Sequence, residues 1–277
     1  MTSTDGTEER FATAAGPFAS ETVVRTSAGG LDTRRTTIPV GDFAMPVYVA
    51  RPAQGADLPV ILVLSEAFGL HAHIEDIARR FAHLGYLAVA PDLMKRQGDP
   101  QSFDTVDELV GGLLQRIPDA QVMGDLDAAV DWAVGNGGDA SRVAATGFCW
   151  GGRWAWLYAA HARIAAAVAW YGILDGVQSG AYPDPELFPA HPIDVVRSLR
   201  TPVLGIYGGQ DDAIPLATVE AMRDALADGA AGAPDARISV HGDAGHAFFA
   251  DYRETYRRDS AQGAWREATT WLRDHGA

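Results

Sequence analysis

The chain has 277 residues, 47% of them hydrophobic, with 36 acidic side chains against 22 lysines and arginines and a formal net charge of −14. That much apolar material supports a large buried core, and the negative field argues against nucleic acid or an anionic membrane as a partner. The apolar runs are far too short to span a membrane, no leader-type apolar core opens the chain, and Cys149 is the single cysteine, which together point to a reducing compartment, the cytoplasm.

Taken in chain order, residues 1–20 are polar and acidic and read as a weakly ordered arm, with residues 21–277 as a single domain. Segments of β type over 21–26 and 36–50, parted by Gly29-Gly30, suggest an antiparallel edge. Leu58–Leu64 is a continuous apolar run of the kind a strand covered on both faces needs. Residues 73–84 are amphipathic and end at Gly85, which predicts a helix with a glycine stop, and 86–90 form a second buried strand halted by Pro91-Asp92. A helical stretch near 105–115 precedes a strongly periodic helix over 120–135. Further strands are expected at 143–146, 164–171, 202–207 and 236–241, with helices at 152–160, 213–228 and 259–274. Alternating strands and helices predict an α/β fold: one doubly wound, mostly parallel sheet with helices on both faces and chemistry at the carboxyl ends of the strands. The stretch 175–191, rich in Pro, Gly and Asp, interrupts this pattern and suits a lid or pocket rim as well as a plain surface loop.

The pentapeptide Gly147-Phe148-Cys149-Trp150-Gly151 lies between a strand and a helix. Strand, Gly-x-nucleophile-x-Gly, helix is the layout of a nucleophile elbow, here with sulfur for the usual serine oxygen. The glycines let strand and helix backbones approach, and the turn holds the nucleophile at the positive end of the helix dipole, which favours a thiolate. A thiol nucleophile needs a base, and the base an orienting acid. Two loops supply candidates: Gly208-Gly209-Gln210-Asp211-Asp212 and Gly242-Asp243-Ala244-Gly245-His246-Ala247-Phe248. His246 is the candidate base, with a structural loop histidine as the alternative, and position alone separates Asp211 from Asp212 only slightly. His71-Ala72-His73 has no third ligand at a recognisable spacing, and no glycine-rich phosphate loop is present, so neither metal nor cofactor is called for.

The chain resembles the dienelactone hydrolase (carboxymethylenebutenolidase) family of α/β-hydrolases. The matching pieces run in order over residues 45–275: Ser65-Glu66-Ala67-Phe68-Gly69, Gly85-Tyr86, Pro91-Asp92-Leu93, the elbow with Gly152, Ala169-Trp170-Tyr171-Gly172, Tyr207-Gly208-Gly209-Gln210-Asp211 with Ile214-Pro215, and Gly245-His246-Ala247-Phe248. The resemblance implies a Cys149–His246–Asp211 triad cleaving a lactone or small ester through a thioester. It further implies that Glu66 contacts the resting thiol and helps generate the thiolate, and that the backbone N–H groups of Ala67 and Trp150 form the oxyanion hole. Phe68, Tyr171 and Phe248 are the expected pocket residues.

Two departures concern substrate recognition. Ser65-Glu66-Ala67 stands where the family often has Gln-Glu-Ile, and Ala250 stands four residues after His246, where the best-known members carry an arginine that clamps a substrate carboxylate. Arg253 is near in sequence but cannot be placed in the pocket from sequence alone, so neutral substrates are expected to be turned over at least as well as anionic ones. The partner is then a small-molecule lactone or ester, with monomer and homodimer both open. A thioesterase or peptidase on the same fold, or a non-catalytic ligand-binding relative, are the alternatives.

Overall fold

The computed structural model describes residues 11–229 and 235–277. In chain order the strands are β1 (Leu31–Val40), β2 (Phe43–Pro52), β3 (Leu58–Leu64), β4 (Leu87–Pro91), β5 (Gly138–Phe148), β6 (Ala166–Trp170), β7 (Val203–Gly208) and β8 (Ala236–His241). They form one eight-stranded sheet in the order β1-β2-β4-β3-β5-β6-β7-β8. The helices are α1 (Ala72–His83), α2 (Val106–Gly112), α3 (Asp119–Gly135), α4 (Trp150–His161), α5 (Leu216–Gly229) and α6 (Arg258–Asp274).

From β4 to β8 every pairing is parallel. β4, β6 and β7 are buried along their whole length, as is β3 beyond Pro59. Continuous apolar strands of this kind require cover on both faces. α1 and α6 supply part of it, touching through Phe81 and Trp265, whose rings lie 4.7 Å apart. α3 and α4 pack together and against the sheet, α3 on β3 and β4 as well as β5. None of these helices is long and apolar enough to cross a membrane.

The antiparallel edge is a hairpin of β1 and β2, with β2 also antiparallel to β4. The β-type run over 36–50 is therefore not one strand. It breaks at Gly41, whose φ of 61° supplies the left-handed residue that a two-residue hairpin with a leading glycine needs. Residues 21–26 are not a strand at all. Residues 20–22 make a 3₁₀ turn, and the backbone N–H of Thr26 goes to Asp76 on α1 at 2.6 Å. Side-chain partners take the groups that a ladder would have used.

Residues 1–10 of the expected arm lie outside the described residues. The rest of it packs on the body: Ala15 is buried, Ala19 donates to the carbonyl of Tyr252 at 2.9 Å, and Phe11 stacks on the Tyr252 ring at 4.4 Å.

The chain order places the site. After β3 the chain steps outward to β4, and after β4 it crosses back through α3 to β5 on the other side of β3. The order in which the parallel strands are added reverses between β3 and β5, and at such a switch point a crevice opens at the carboxyl ends of the strands. The loop after β3 carries Glu66, and the turn after β5 carries Cys149.

Candidate active site

Cys149 joins β5 to α4 with φ 50° and ψ −110°, a conformation that costs a non-glycine residue on the order of 1–3 kcal/mol. The surroundings hold it there. Its N–H donates to the carbonyl of Trp170 at 2.9 Å, and the N–H of Gly151 donates to Ser65 at 3.0 Å. A Cβ on Gly147 would stand 2.0 Å from the Gly151 carbonyl oxygen, and one on Gly151 would stand 2.4 Å from that of Leu64. Only glycine fits at either position, because strand, turn and helix backbones touch there.

His246 comes from the loop after β8 and lies against the sulfur: Nε2 is 3.2 Å from Sγ, and Nδ1 is 3.0 Å from Oδ2 of Asp211. The other Asp211 oxygen accepts the backbone N–H groups of Ala213 and Ile214 at 2.9 and 2.8 Å, so the carboxylate cannot rotate away. Asp211 is buried, and its neighbour Asp212 is exposed. Burial pushes the His246 imidazole down, but the charge on the Cys149 sulfur and the hydrogen bonds to Asp211 and Cys149 outweigh it and raise the ring to about 10. Such a ring is protonated at neutral pH and faces the Cys149 sulfur.

Glu66 is 1% exposed. Its Oε2 accepts from the Tyr252 hydroxyl at 2.7 Å and from His71 Nε2 at 3.2 Å, while among the described residues Oε1 has no partner. The hydrogen-bonding neighbour of the Cys149 sulfur is His246, and those of Glu66 are Tyr252 and His71. Burial pushes the carboxyl up, yet the His71 hydrogen bond and the nearby His71, His73 and Arg253 reverse this and bring it to about 2. His71 is itself fully buried, and desolvation lowers it. We therefore take His71 as a neutral imidazole donating Nε2–H, with Glu66 ionised.

These groups face a cavity of about 300 Å³. Glu66, Ala67, Phe68, Cys149, Trp150 and Tyr171 form its floor, so both residues expected to supply the oxyanion hole stand beside the sulfur. α2 and the turn after it contribute Val106, Val110 and Leu114. The 175–191 stretch contributes Ala181 and Tyr182, which makes it a wall of the cavity. Phe248 is not part of the lining: it is fully buried behind Tyr171, ring to ring at 5.6 Å. Ala247, with φ 58°, turns the chain so that His246 faces the cavity while Phe248 goes into the core. The Tyr171 hydroxyl is buried and has no partner among the described residues. Burial, followed by the charges of Glu66 and Cys149, pushes it well above its ordinary range, so it stays a protonated donor.

Residues 45–276 match the model of the Dienelactone hydrolase family. The chain belongs to that family. This dienelactone hydrolase family member is 49% identical over 269 residues to a protein of Salmonella typhimurium provisionally named carboxymethylenebutenolidase, covering 96% of each. It is 46% identical over 268 residues to one of Methylorubrum extorquens with the same provisional name, covering 96% of this chain and 89% of that one. A crystal structure of a provisionally named dienelactone hydrolase from Klebsiella pneumoniae superposes with a TM-score of 0.82 at 45% identity, over 87% of this chain and 98% of the other. The chain is thus a hydrolase of the dienelactone hydrolase type on an α/β-hydrolase fold.

The main residue of this family member that the sequence left unplaced is Arg253. Ala250 is wholly buried, but the chain turns after it, with the Arg253 N–H on the Ala250 carbonyl at 3.0 Å, and the Arg253 side chain enters the cavity wall over the Phe68 ring at 5.5 Å. No local pattern announces that turn. Val106 and Val110 do carry a signal, since spacing by four aligns them on one side of α2.

Proposed function

We propose that this enzyme hydrolyses lactones or small carboxylic esters, with Cys149, His246 and Asp211 as its triad. The observation that carries the reading is the chain of contacts from Asp211 through His246 to the Cys149 sulfur, at 3.0 and 3.2 Å, opening into a largely apolar cavity. The thiolate adds to the carbonyl carbon, and the tetrahedral oxyanion is held by the N–H groups of Trp150 and Ala67. Collapse breaks the ester C–O bond while protonated His246 gives its proton to the departing alkoxide, which leaves a Cys149 thioester. His246, now neutral, takes a proton from water as that water attacks the thioester carbonyl, and the acid and the thiolate are released. Asp211 holds the ring with Nε2 toward the sulfur throughout. A lone thiol nucleophile suits a reducing compartment, which supports the cytoplasm as the location.

The test is mass spectrometry of the intact protein quenched during turnover of a slowly hydrolysed lactone or aryl ester. The expected result is a mass gain equal to the acyl group, located on the peptide containing Cys149 and absent from Cys149→Ala. Turnover with no acyl-enzyme, and equal activity in Cys149→Ala, would overturn the reading.

A further inference from the structure

The cavity at Cys149 shares a wall with a second, smaller pocket. Ile173, Ala213 and Ile214 line both, and the second space holds about 160 Å³. Ile173 follows β6, while Ala213 and Ile214 belong to the loop after β7 that carries Asp211. A single layer of side chains therefore divides the two spaces. Ala213, exposed and bearing only a methyl group, is the smallest member of that layer.

The second pocket is bounded by two turns that satisfy their own backbone. On one side is the turn over 174–179, where the Asp175 carboxylate accepts the Gln178 N–H at 2.9 Å and the Asp175 carbonyl accepts the Ser179 N–H at 3.2 Å. On the other is the start of α5, where the Pro215 carbonyl accepts both the N–H and the hydroxyl of Thr218 at 2.8 Å. The lining is largely apolar, and its one acid, Asp175, is engaged in its own turn. Six large hydrophobic side chains are exposed among the described residues, and three of them gather here. Val106 stands in the wall of the Cys149 cavity, and Val177 and Leu216 each adjoin residues that line the second pocket. Exposed apolar groups collected around a cavity mark a ligand surface, where scattered ones do not.

We propose that the second pocket is a substrate subsite: with its carbonyl at Cys149, a lactone or ester lays an unbranched apolar side chain over Ala213, between Ile173 and Ile214, into the second space. The substrates are then neutral lactones or esters with an alkyl tail of several carbons. This rests on the lactone and ester hydrolysis proposed above.

The experiment measures kcat/KM for γ-lactones whose tail grows from methyl through propyl to pentyl. In the wild type it is expected to rise about twofold per added methylene, roughly tenfold over the series, since a half-open pocket returns only part of the value of full burial. Ala217→Trp fills the pocket from α5, and Gln178→Trp fills it from the opposite turn. Both positions are exposed, so both variants should fold. Each is expected to lower kcat/KM for the pentyl lactone about tenfold and to leave the methyl lactone within about twofold of wild type. A merely structural effect would lower both lactones alike. A flat series in the wild type, blocked variants that keep the wild-type slope, or equal losses on both lactones overturns the subsite and leaves the hydrolase reading intact. No turnover of any lactone or aryl ester overturns that reading and the subsite with it.

Discussion

The loops after β3 and β7 each deliver one buried carboxylate to the same cavity region, and the two are held in opposite ways. Asp211 is fixed by backbone: two N–H groups of its own loop take one oxygen, and the other is left for His246. Glu66 is fixed by side chains from distant segments, Tyr252 and His71, and keeps one oxygen with no partner among the described residues. A carboxylate anchored by its own loop is placed wherever that loop folds, and its free oxygen is reserved for one partner. One anchored by remote side chains can be released by a single substitution far along the chain. The first arrangement aims one oxygen at an imidazole; the second ties one oxygen and leaves the other open.

The comparison assumes that both acids serve one sulfur, and Cys149→Ala is the most drastic way to break it. Loss of a triad nucleophile costs about a millionfold in kcat. Alanine fits the elbow, so steady-state assay alongside circular dichroism should show an inactive and folded protein. Retained activity would separate both carboxylates from the chemistry.

The next effect distinguishes Asp211 from its neighbour. Asp211→Asn is expected to lower kcat/KM by about ten-thousandfold, the cost of losing the orienting acid and the correct tautomer. Asp212→Asn should stay within about a factor of three, since exposed substitutions away from such features change little. Equal losses would mean that the wrong carboxylate had been assigned to the ring.

The pH dependence sharpens the contrast, because the two acids act on opposite limbs. His246 is raised to about 10, so the proton it gives to the leaving group is present below that pH and lost above it. Activity should fall as pH rises through about 10, and in Asp211→Asn the fall should move to lower pH because one of the raising interactions is gone. Glu66 is depressed from 4.5 to about 2 in the folded protein. The stability it contributes is complete above about 4.5 and lost as pH falls toward 2. Melting curves of wild type and Glu66→Gln should therefore differ at pH 6 and converge near pH 2; a constant difference would contradict the sign.

The smallest expected effect concerns substrate charge. Arg253 brings a cation into the cavity wall, but ionised Glu66 feels and offsets that cation. Neutral lactones or aryl esters should be turned over at least as well as matched carboxylate-bearing ones, measured as kcat/KM at two salt concentrations. A strong preference for the anion that disappears in Arg253→Met would show that Arg253 acts as a clamp despite Glu66.

Much of the fold is legible in the chain. The apolar runs of β3, β4 and β7 and the periodicity of the 120–135 helix are local patterns that burial on two faces or one imposes directly. The misreadings have physical causes. Residues on both sides of Gly41 are good strand formers, so the run 36–50 looks continuous until pairing requires a hairpin turn. Residues 21–26 have the composition of a strand, but Thr26 finds Asp76 first. Phe248 lies two residues from His246, yet a single left-handed residue between them sends it into the core.

By itself the sequence determined the elbow-type turn, the order of the Cys149, Asp211 and His246 loops along the chain, and the family. Each of these depends on short-range sterics: glycines where backbones collide, apolar runs where strands are covered, small residues where a loop turns. The resemblance already pointed to Asp211 over Asp212, but only the tertiary structure decided how closely Asp211, His246 and Cys149 meet, that Arg253 enters the cavity, and that Tyr252 and His71 hold Glu66. Those contacts join residues 35, 97 and 186 positions apart in the cases of Asp211–His246, His246–Cys149 and Tyr252–Glu66. Where such side chains meet depends on the path of every loop between them, and that path is settled by packing of the whole sheet rather than by any local pattern.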